Sequence, residues 1–337
     1  MRIQGSIKKF FVIIFITFVI ILSIMMLMLK LFKLNNIQIV SRFISKQWIL
    51  LIGPSYGALK VVPIHKDIPP KLNLPKEIST GTLVANIRID SNEGMKVILC
   101  QYLAPGTKVW MIQYDQKMLP KNWHIVFKSS SNYISPPVSS FDGSKWAFLT
   151  NSRKRDNLYN LCIYDFKRKQ VKLIYETEIN WNFGLYYRLS FTPDGNYILM
   201  SVGDKKRPKV VKIHIETKSI HYLDFGINPQ WQPFGNKILY AEGNFYSQEK
   251  DFILFDTKTQ QKEKIIDKAI DATWSPDGQF IAFSRNIKKF DYIWEIFKLN
   301  FYCNNIMRIY LLSIKNNKEI GPIITTNHAF FLTWLKK

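Results

Sequence analysis

Cysteine is scarce in this chain of 337 residues: only Cys100, Cys162 and Cys303 occur. Three thiols so far apart exclude a disulfide framework and a cysteine-based zinc site, and any single bridge would leave one over. Cys100 and Cys162 fall inside apolar runs, where a buried free thiol is the reading. Histidine is scarce as well. His65, His124, His214, His221 and His328 are scattered, none at metal-ligand spacing with another. His214 and His221 flank a predicted hairpin turn and could meet across it, but two solvated strand histidines are the favoured reading. No Asp-x-Asp-x-Asp loop for calcium occurs, no Asn-x-Ser/Thr sequon, and no recognised nucleic-acid-binding module. No metal or cofactor is expected, and nucleic acid is the disfavoured partner.

Acidic residues are few: 25 Asp and Glu stand against 47 Lys and Arg, a net charge of +22. Runs at Arg153, Lys154, Arg155, at Lys167-Arg168-Lys169, at Lys205, Lys206, Arg207 and at Lys288-Lys289 fall mostly in predicted hairpin loops. They would fringe a rim with positive potential and favour anionic partners. A lysine-biased genome decorating solvated loops explains the same charge. Aromatics, by contrast, abound, with 24 Phe, 16 Tyr and 9 Trp, which suits packed sheets better than a helical bundle.

The sheets announce themselves in one phrase, Trp274-Ser275-Pro276-Asp277-Gly278, followed by Gln279-Phe280-Ile281-Ala282-Phe283. Pro276 presets a turn, Asp277 can cap it, and Gly278 takes the backbone angle that closes it. Three further copies are Phe191-Thr192-Pro193-Asp194-Gly195, Trp231-Gln232-Pro233-Phe234-Gly235 and Ser140-Phe141-Asp142-Gly143. The second of these has Phe234 where the aspartate would be, and the third has lost the proline. Asn92-Glu93-Gly94 is a fainter fifth. The turn glycines at 94, 143, 195, 235 and 278 stand 49, 52, 40 and 43 residues apart. That bracket contains the period of about 40–50 residues expected of four-stranded propeller blades. Each copy continues into a third strand, such as Leu161-Cys162-Ile163-Tyr164-Asp165, and a short fourth. Asp142, Asp194 and Asp277 read as turn caps rather than calcium ligands.

These turns and strands resemble the WD-like β repeats of TolB-type propellers of the bacterial envelope, over roughly residues 80–337. The resemblance implies an all-β propeller. It says little about activity, since the family includes scaffolds, sensors and propellers appended to hydrolases.

Ahead of the repeats, Phe10 to Leu29 are twenty residues without a charge. About 20 residues of helix cross a hydrocarbon core of roughly 30 Å. The run outlasts a signal peptide's apolar region and lacks a small-x-small cleavage site, so residues 1–33 read as a cytoplasmic tip and uncleaved anchor. Residues 34–46 read as a basic stalk. Arg2, Lys8 and Lys9 before the span are matched by Lys30, Lys33, Arg42 and Lys46 after it, so charge gives little leverage on orientation. The short leader and the resemblance both place the propeller on the extracytoplasmic, periplasmic side.

Residues 47–337 are then the propeller. Trp48–Ile52 and Ala58–Ile64 read as strands joined at Gly53-Pro54-Ser55-Tyr56-Gly57, and Leu72-Asn73-Leu74 as an edge strand. That Gly-Pro-Ser-Tyr-Gly matches the nucleophile elbow of hydrolases, but the elbow needs a strand-to-helix turn and here a second strand follows. At the far end Ala329 to Trp334 match the first strand of a repeat and nothing further. The lone last strand and the unassigned first strands complement one another, closing the ring. Six blades are expected, with five or seven as alternatives, and an ordinary β-sandwich as the competing fold. Two functions stay open. One is a membrane-anchored, non-enzymatic propeller that binds a protein or an anionic envelope component. The other is a propeller lyase or hydrolase-associated enzyme acting on an anionic polysaccharide or peptide. No catalytic residue stands out.

Overall fold

The computed structural model describes residues 48–53, 60–62, 75, 82–90, 94–102, 107–115, 119–129, 135, 137–151, 158–178, 188–203, 206–243, 249–286, 307–326 and 331–336. The chain divides into two units, Met1–Ser45 and Lys46–Lys337, and the described residues all belong to the second. The anchor Phe10–Leu29, the stalk, His65, His328, Cys303 and the basic runs Arg153–Arg155 and Lys288–Lys289 lie outside the described residues.

Every regular element among them is a β-strand. In chain order, β1 (Trp48–Gly53) and β2 (Lys60–Val62) form a hairpin. Then come β3 (Thr82–Asp90), β4 (Gly94–Tyr102), β5 (Thr107–Tyr114) and β6 (Pro120–Ser129), a four-stranded antiparallel sheet in sequence order. The next sheet comprises β7 (Val138–Ser139), β8 (Lys145–Asn151), β9 (Leu158–Asp165) and β10 (Gln170–Glu178). It is followed by β11 (Ser190–Phe191), β12 (Tyr197–Val202), β13 (Lys209–His214) and β14 (Ile220–Phe225). A fourth such sheet holds β15 (Ile227–Trp231), β16 (Lys237–Glu242), β17 (Lys250–Asp256) and β18 (Lys262–Ala269). The fifth holds β19 (Asp271–Trp274), β20 (Phe280–Asn286), β21 (Met307–Ser313) and β22 (Lys318–Thr326).

The last strand, β23 (Phe331–Lys336), has no partner close in sequence. It pairs antiparallel with β1, Leu50 opposite Trp334 and Gly53 opposite Phe331, in a sheet ordered β2-β1-β23. Backbone contacts place β23 against both β3 and β19. The first and last four-stranded sheets therefore meet through the pairing of the two chain ends. β1 pairs antiparallel with β2, Ile52 opposite Lys60. The strand ending at Gly53 is thus followed by a partner strand at Lys60, whereas an elbow leads from a strand into a helix; residues 54–57 themselves lie outside the described residues.

The cores lie between sheets, not within a two-layer sandwich. Successive side chains of a strand point to opposite faces, and here both faces are buried. On β8, Ala147 and Leu149 pack with Ile198, Met200, Val211 and Ile213 of the following sheet. Their neighbours Trp146 and Phe148 pack the other way, with Val109 of the preceding one. The same division recurs on β16, where Ile238 and Tyr240 join Leu199 and Val210, while Leu239 and Ala241 join Trp274, Ile281 and Phe283. Sheets stacked face to face in this way explain why the second strand of each repeat is an unbroken apolar run. Cys162 is one of these packing groups, its thiol pushed up to about 11 by burial.

The turns are built by a pair of residues, not by the aspartate alone. In the Trp274 copy, Ser275 Oγ donates to Asp277 Oδ1 at 2.6 Å, and accepts from Phe280 N at 2.9 Å. Asp277 also accepts from Gln279 N at 3.0 Å. Thr192 with Asp194, and Ser140 with Asp142, repeat the arrangement. Gly143, Gly195 and Gly278 follow at φ of 71°, 68° and 67°, a region that residues with a Cβ resist. In the Trp231 copy both partners are replaced together, by Gln232 and Phe234. Trp231 Nε1 then donates to Gly235 O at 2.8 Å, and Gln232 Nε2 reaches Gly278 O of the next turn at 3.1 Å.

Asp142 gives the turns a pH signature. The hydroxyls of Ser140 and Ser144 hold its pKa down to about 2. A carboxyl that is more acidic folded than unfolded stabilises above its unfolded value, near 3.9, and loses that effect as pH falls toward the folded value. The stability gap between the native chain and Asp142→Asn should thus be constant above about pH 5 and close between about pH 4 and 2. Urea melts across that range measure it, and a gap that widens on acidification would contradict the assignment.

Candidate functional site

In each four-stranded sheet the first strand in chain order is the inner one, since β11 lies against both β7 and β15 across sheets; it starts at one end of the sheet and its turn lies at the other. The two ends differ in chemistry. At the starting end, Arg188, Asn228 and Asp271 come together, each seven residues ahead of its turn glycine (188 and 195, 228 and 235, 271 and 278). Arg188 Nη2 donates to Asp271 Oδ2 at 2.5 Å, with the two side chains only 10% and 7% exposed. This pair joins the sheets of β11 and β19, passing over the sheet between them. That middle sheet contributes Asn228, whose Oδ1 accepts from Arg188 N at 3.4 Å and whose N donates to buried Ser201 Oγ at 3.2 Å. Below them Gln230 Nε2 donates to Ala272 O at 2.7 Å, and Trp274 Nε1 returns a bond to Gln230 O. Burial pushes the Lys250 ammonium below its usual range, opposed by the nearby charge of Asp271. The arrangement is a polar strut across the inner edge, with Arg188 and Asp271 paired inside it. Each position looks locally like an ordinary strand start; the fixed offset from the turn glycine is the signal that would have found all three.

At the turn end, Phe141 and Phe234 meet with ring centroids 6.2 Å apart, although their sheets are not consecutive. Phe234 is 78% exposed, the most exposed of the large apolar residues described. The replacement of aspartate by Phe234 thus trades a turn cap for an aromatic contact.

The described basic runs do not share one end: Lys167-Arg168-Lys169 form the exposed β9–β10 turn at the turn end, and only Lys206 and Arg207 lie at the starting end. Lys206 and Arg207 follow β12 there, exposed, while Lys205 lies outside the described residues with Arg153, Lys154 and Arg155. The guanidinium of Arg207 sits 4.0 Å over the Phe225 ring. Phe225 meets Tyr222 edge-on at 5.5 Å, and the ammonium of Lys209 stands 5.9 Å over Tyr222. Register makes the group: Lys209 lies opposite Phe225, and a bulge after Val210 brings Tyr222 opposite Val211. Asp224 beside them accepts from Lys262 at 2.6 Å and from the Tyr240 hydroxyl. Burial pushes the carboxyl up, but these donors together outweigh it and hold it below its usual range. Gly226 lets the chain turn against Tyr240; at φ 154° a Cβ there would stand 2.5 Å from the ring.

The described histidines do not assemble. His221 lies opposite Lys212, while His214 packs edge-on against Tyr197 and accepts from Thr217 N at 3.0 Å. Among the described residues no group of three His, Cys, Asp or Glu is placed to hold a metal ion.

No protein-family model matches the sequence, and no curated protein matches it. Solved structures do resemble it. One assigned to TolB from Agrobacterium tumefaciens superposes with a TM-score of 0.53 at 10% identity, over 83% of this chain and 90% of that one. A chain of a nidogen/laminin complex gives 0.53 at 9% identity, over 85% and 98%. Puromycin hydrolase gives 0.53 at 10% identity over 83% of this chain, which spans only 45% of the hydrolase. At such identities the likeness concerns the fold. Among the described residues, five antiparallel four-stranded sheets, their cores packed between neighbouring sheets, together with the repeated turns and these likenesses make the fold that of a TolB-like β-propeller.

Proposed function

We propose that the chain is a membrane-anchored, non-enzymatic propeller of six blades that binds a protein or an anionic component of the cell envelope through its basic rim. The sixth blade is the sheet made from both chain ends. Its seat between β3 and β19 supports a closed ring, which removes the open edges that invite aggregation. The apolar run Phe10–Leu29 supports the anchor, and the short leader supports an extracytoplasmic propeller. One structure of similar fold belongs to a complex of two proteins, which is in keeping with a binding role.

The observation that carries the reading is the linked group Arg207, Phe225, Tyr222 and Lys209, exposed cations held by aromatic rings. By contrast, the strut charges Arg188 and Asp271 face each other at the inner edge. The detergent-solubilised full chain should bind an immobilised sulfated polysaccharide and elute with salt, since surface electrostatics are screened. Arg207→Glu with Lys209→Glu should elute at clearly lower salt with an unchanged melting temperature. Incubation with polyuronates or peptides should release no product. Turnover abolished by a single substitution at the inner edge, such as Arg188→Lys, would replace this reading with the enzymatic one.

A further inference from the structure

The geometry points to an anionic lipid surface as the occupant of the β13–β14 face; this deepens the binding reading above and rests on it. The face is a ridge along an outer strand, not a pocket. Ile220 and Tyr222, alternate residues on one side of β14, are 43% and 51% exposed. Arg207 and Lys209 stand over the rings of Phe225 and Tyr222. A base or a sugar ring would need an open aromatic face to stack upon, and one face of each ring already carries a cation. A headgroup layer asks for something else. It takes aromatic rings and an aliphatic side chain at the depth of the headgroups, with long basic side chains reaching the phosphates. The ridge supplies these within one hairpin. The acid in the neighbourhood, Asp224, is engaged by Lys262 and Tyr240 and so opposes the approach of phosphate weakly. Each basic residue near such a surface contributes about 1 kcal/mol, so the two cations over the rings together change affinity by more than about tenfold.

The full chain, reconstituted into vesicles of phosphatidylcholine alone or mixed with phosphatidylglycerol, tests the inference by hydrogen exchange. Amides of residues 206–225 should exchange several-fold more slowly in the mixed vesicles only. Arg207→Glu with Lys209→Glu, and separately Tyr222→Ser, should abolish the difference while the melting temperature holds. Equal exchange in the two vesicles would overturn the inference. Greater slowing of the same amides in detergent by a single-stranded oligonucleotide or a sulfated polysaccharide would also overturn it, reassigning the ridge to that polymer. Carbonate extraction reads the anchor independently: a chain that stays with the vesicles yet shows no lipid-dependent slowing loses this inference alone. A chain released by carbonate loses the anchor, while the exchange comparison still decides the ridge.

Discussion

Replacing Asp271 by alanine should lower stability by about 3–5 kcal/mol, because it leaves the buried Arg188 cation without its carboxylate. Against a total of about 5–15 kcal/mol for a folded domain, that is a large fraction. The ion pair itself need not be the stabilising element. Bringing both charges out of water costs several kcal/mol, so joint replacement by apolar residues of similar volume is often neutral. Arg188→Met with Asp271→Leu should therefore recover most of what either single change loses. The exposed pair Lys172 and Glu216, 49% and 72% exposed, makes a control: its removal should shift the unfolding midpoint little. Urea midpoints of the four chains measure the contrast. Equal losses in the single and double variants would mean that the strut is held by shape and not by charge matching.

The fold was legible where the sequence repeats a local instruction. Pro-Asp-Gly turns and apolar runs such as Ile281-Ala282-Phe283 are local features, and the same physics acts at each copy. The cores on both sides of β8 and β16 explain why these runs lack the polar alternation of a strand that keeps one face in water. The hydroxyl partner in each turn escaped notice because Ser140, Thr192 and Ser275 are common residues whose role appears only once their Oγ atoms meet a carboxylate. Less legible still was the inner strut. Arg188 and Asp271 are 83 residues apart, and nothing near either announces the other. The ridge fell between these extremes. The run around Lys206 and Arg207 was visible as charge, but Tyr222 and Phe225 join it only through the register of β13 with β14 and its bulge.

Shortening the chain to end at Asn327 should be more damaging than any single substitution. It removes β23, and with it six registered pairs from Trp48 with Lys336 to Gly53 with Phe331. At about 0.5–1.5 kcal/mol net per hydrogen bond, six such bonds amount to roughly 3–9 kcal/mol, comparable with the whole stability of a domain. The β1–β2 hairpin left behind is marginal alone, and β3 and β19 both lose the strand that lies against them. The shortened chain should therefore melt far lower and self-associate through its open edges. Size-exclusion chromatography and thermal unfolding measure both effects. A melt indistinguishable from that of the intact chain would refute closure through β23. Because pairing and not covalent continuity is the stabilising step, a peptide of residues 328–337 added in trans should restore the melt in a saturable way. The same peptide carrying Thr333→Pro should fail, since proline opposite Leu51 both lacks an N–H and resists the interior of a paired strand.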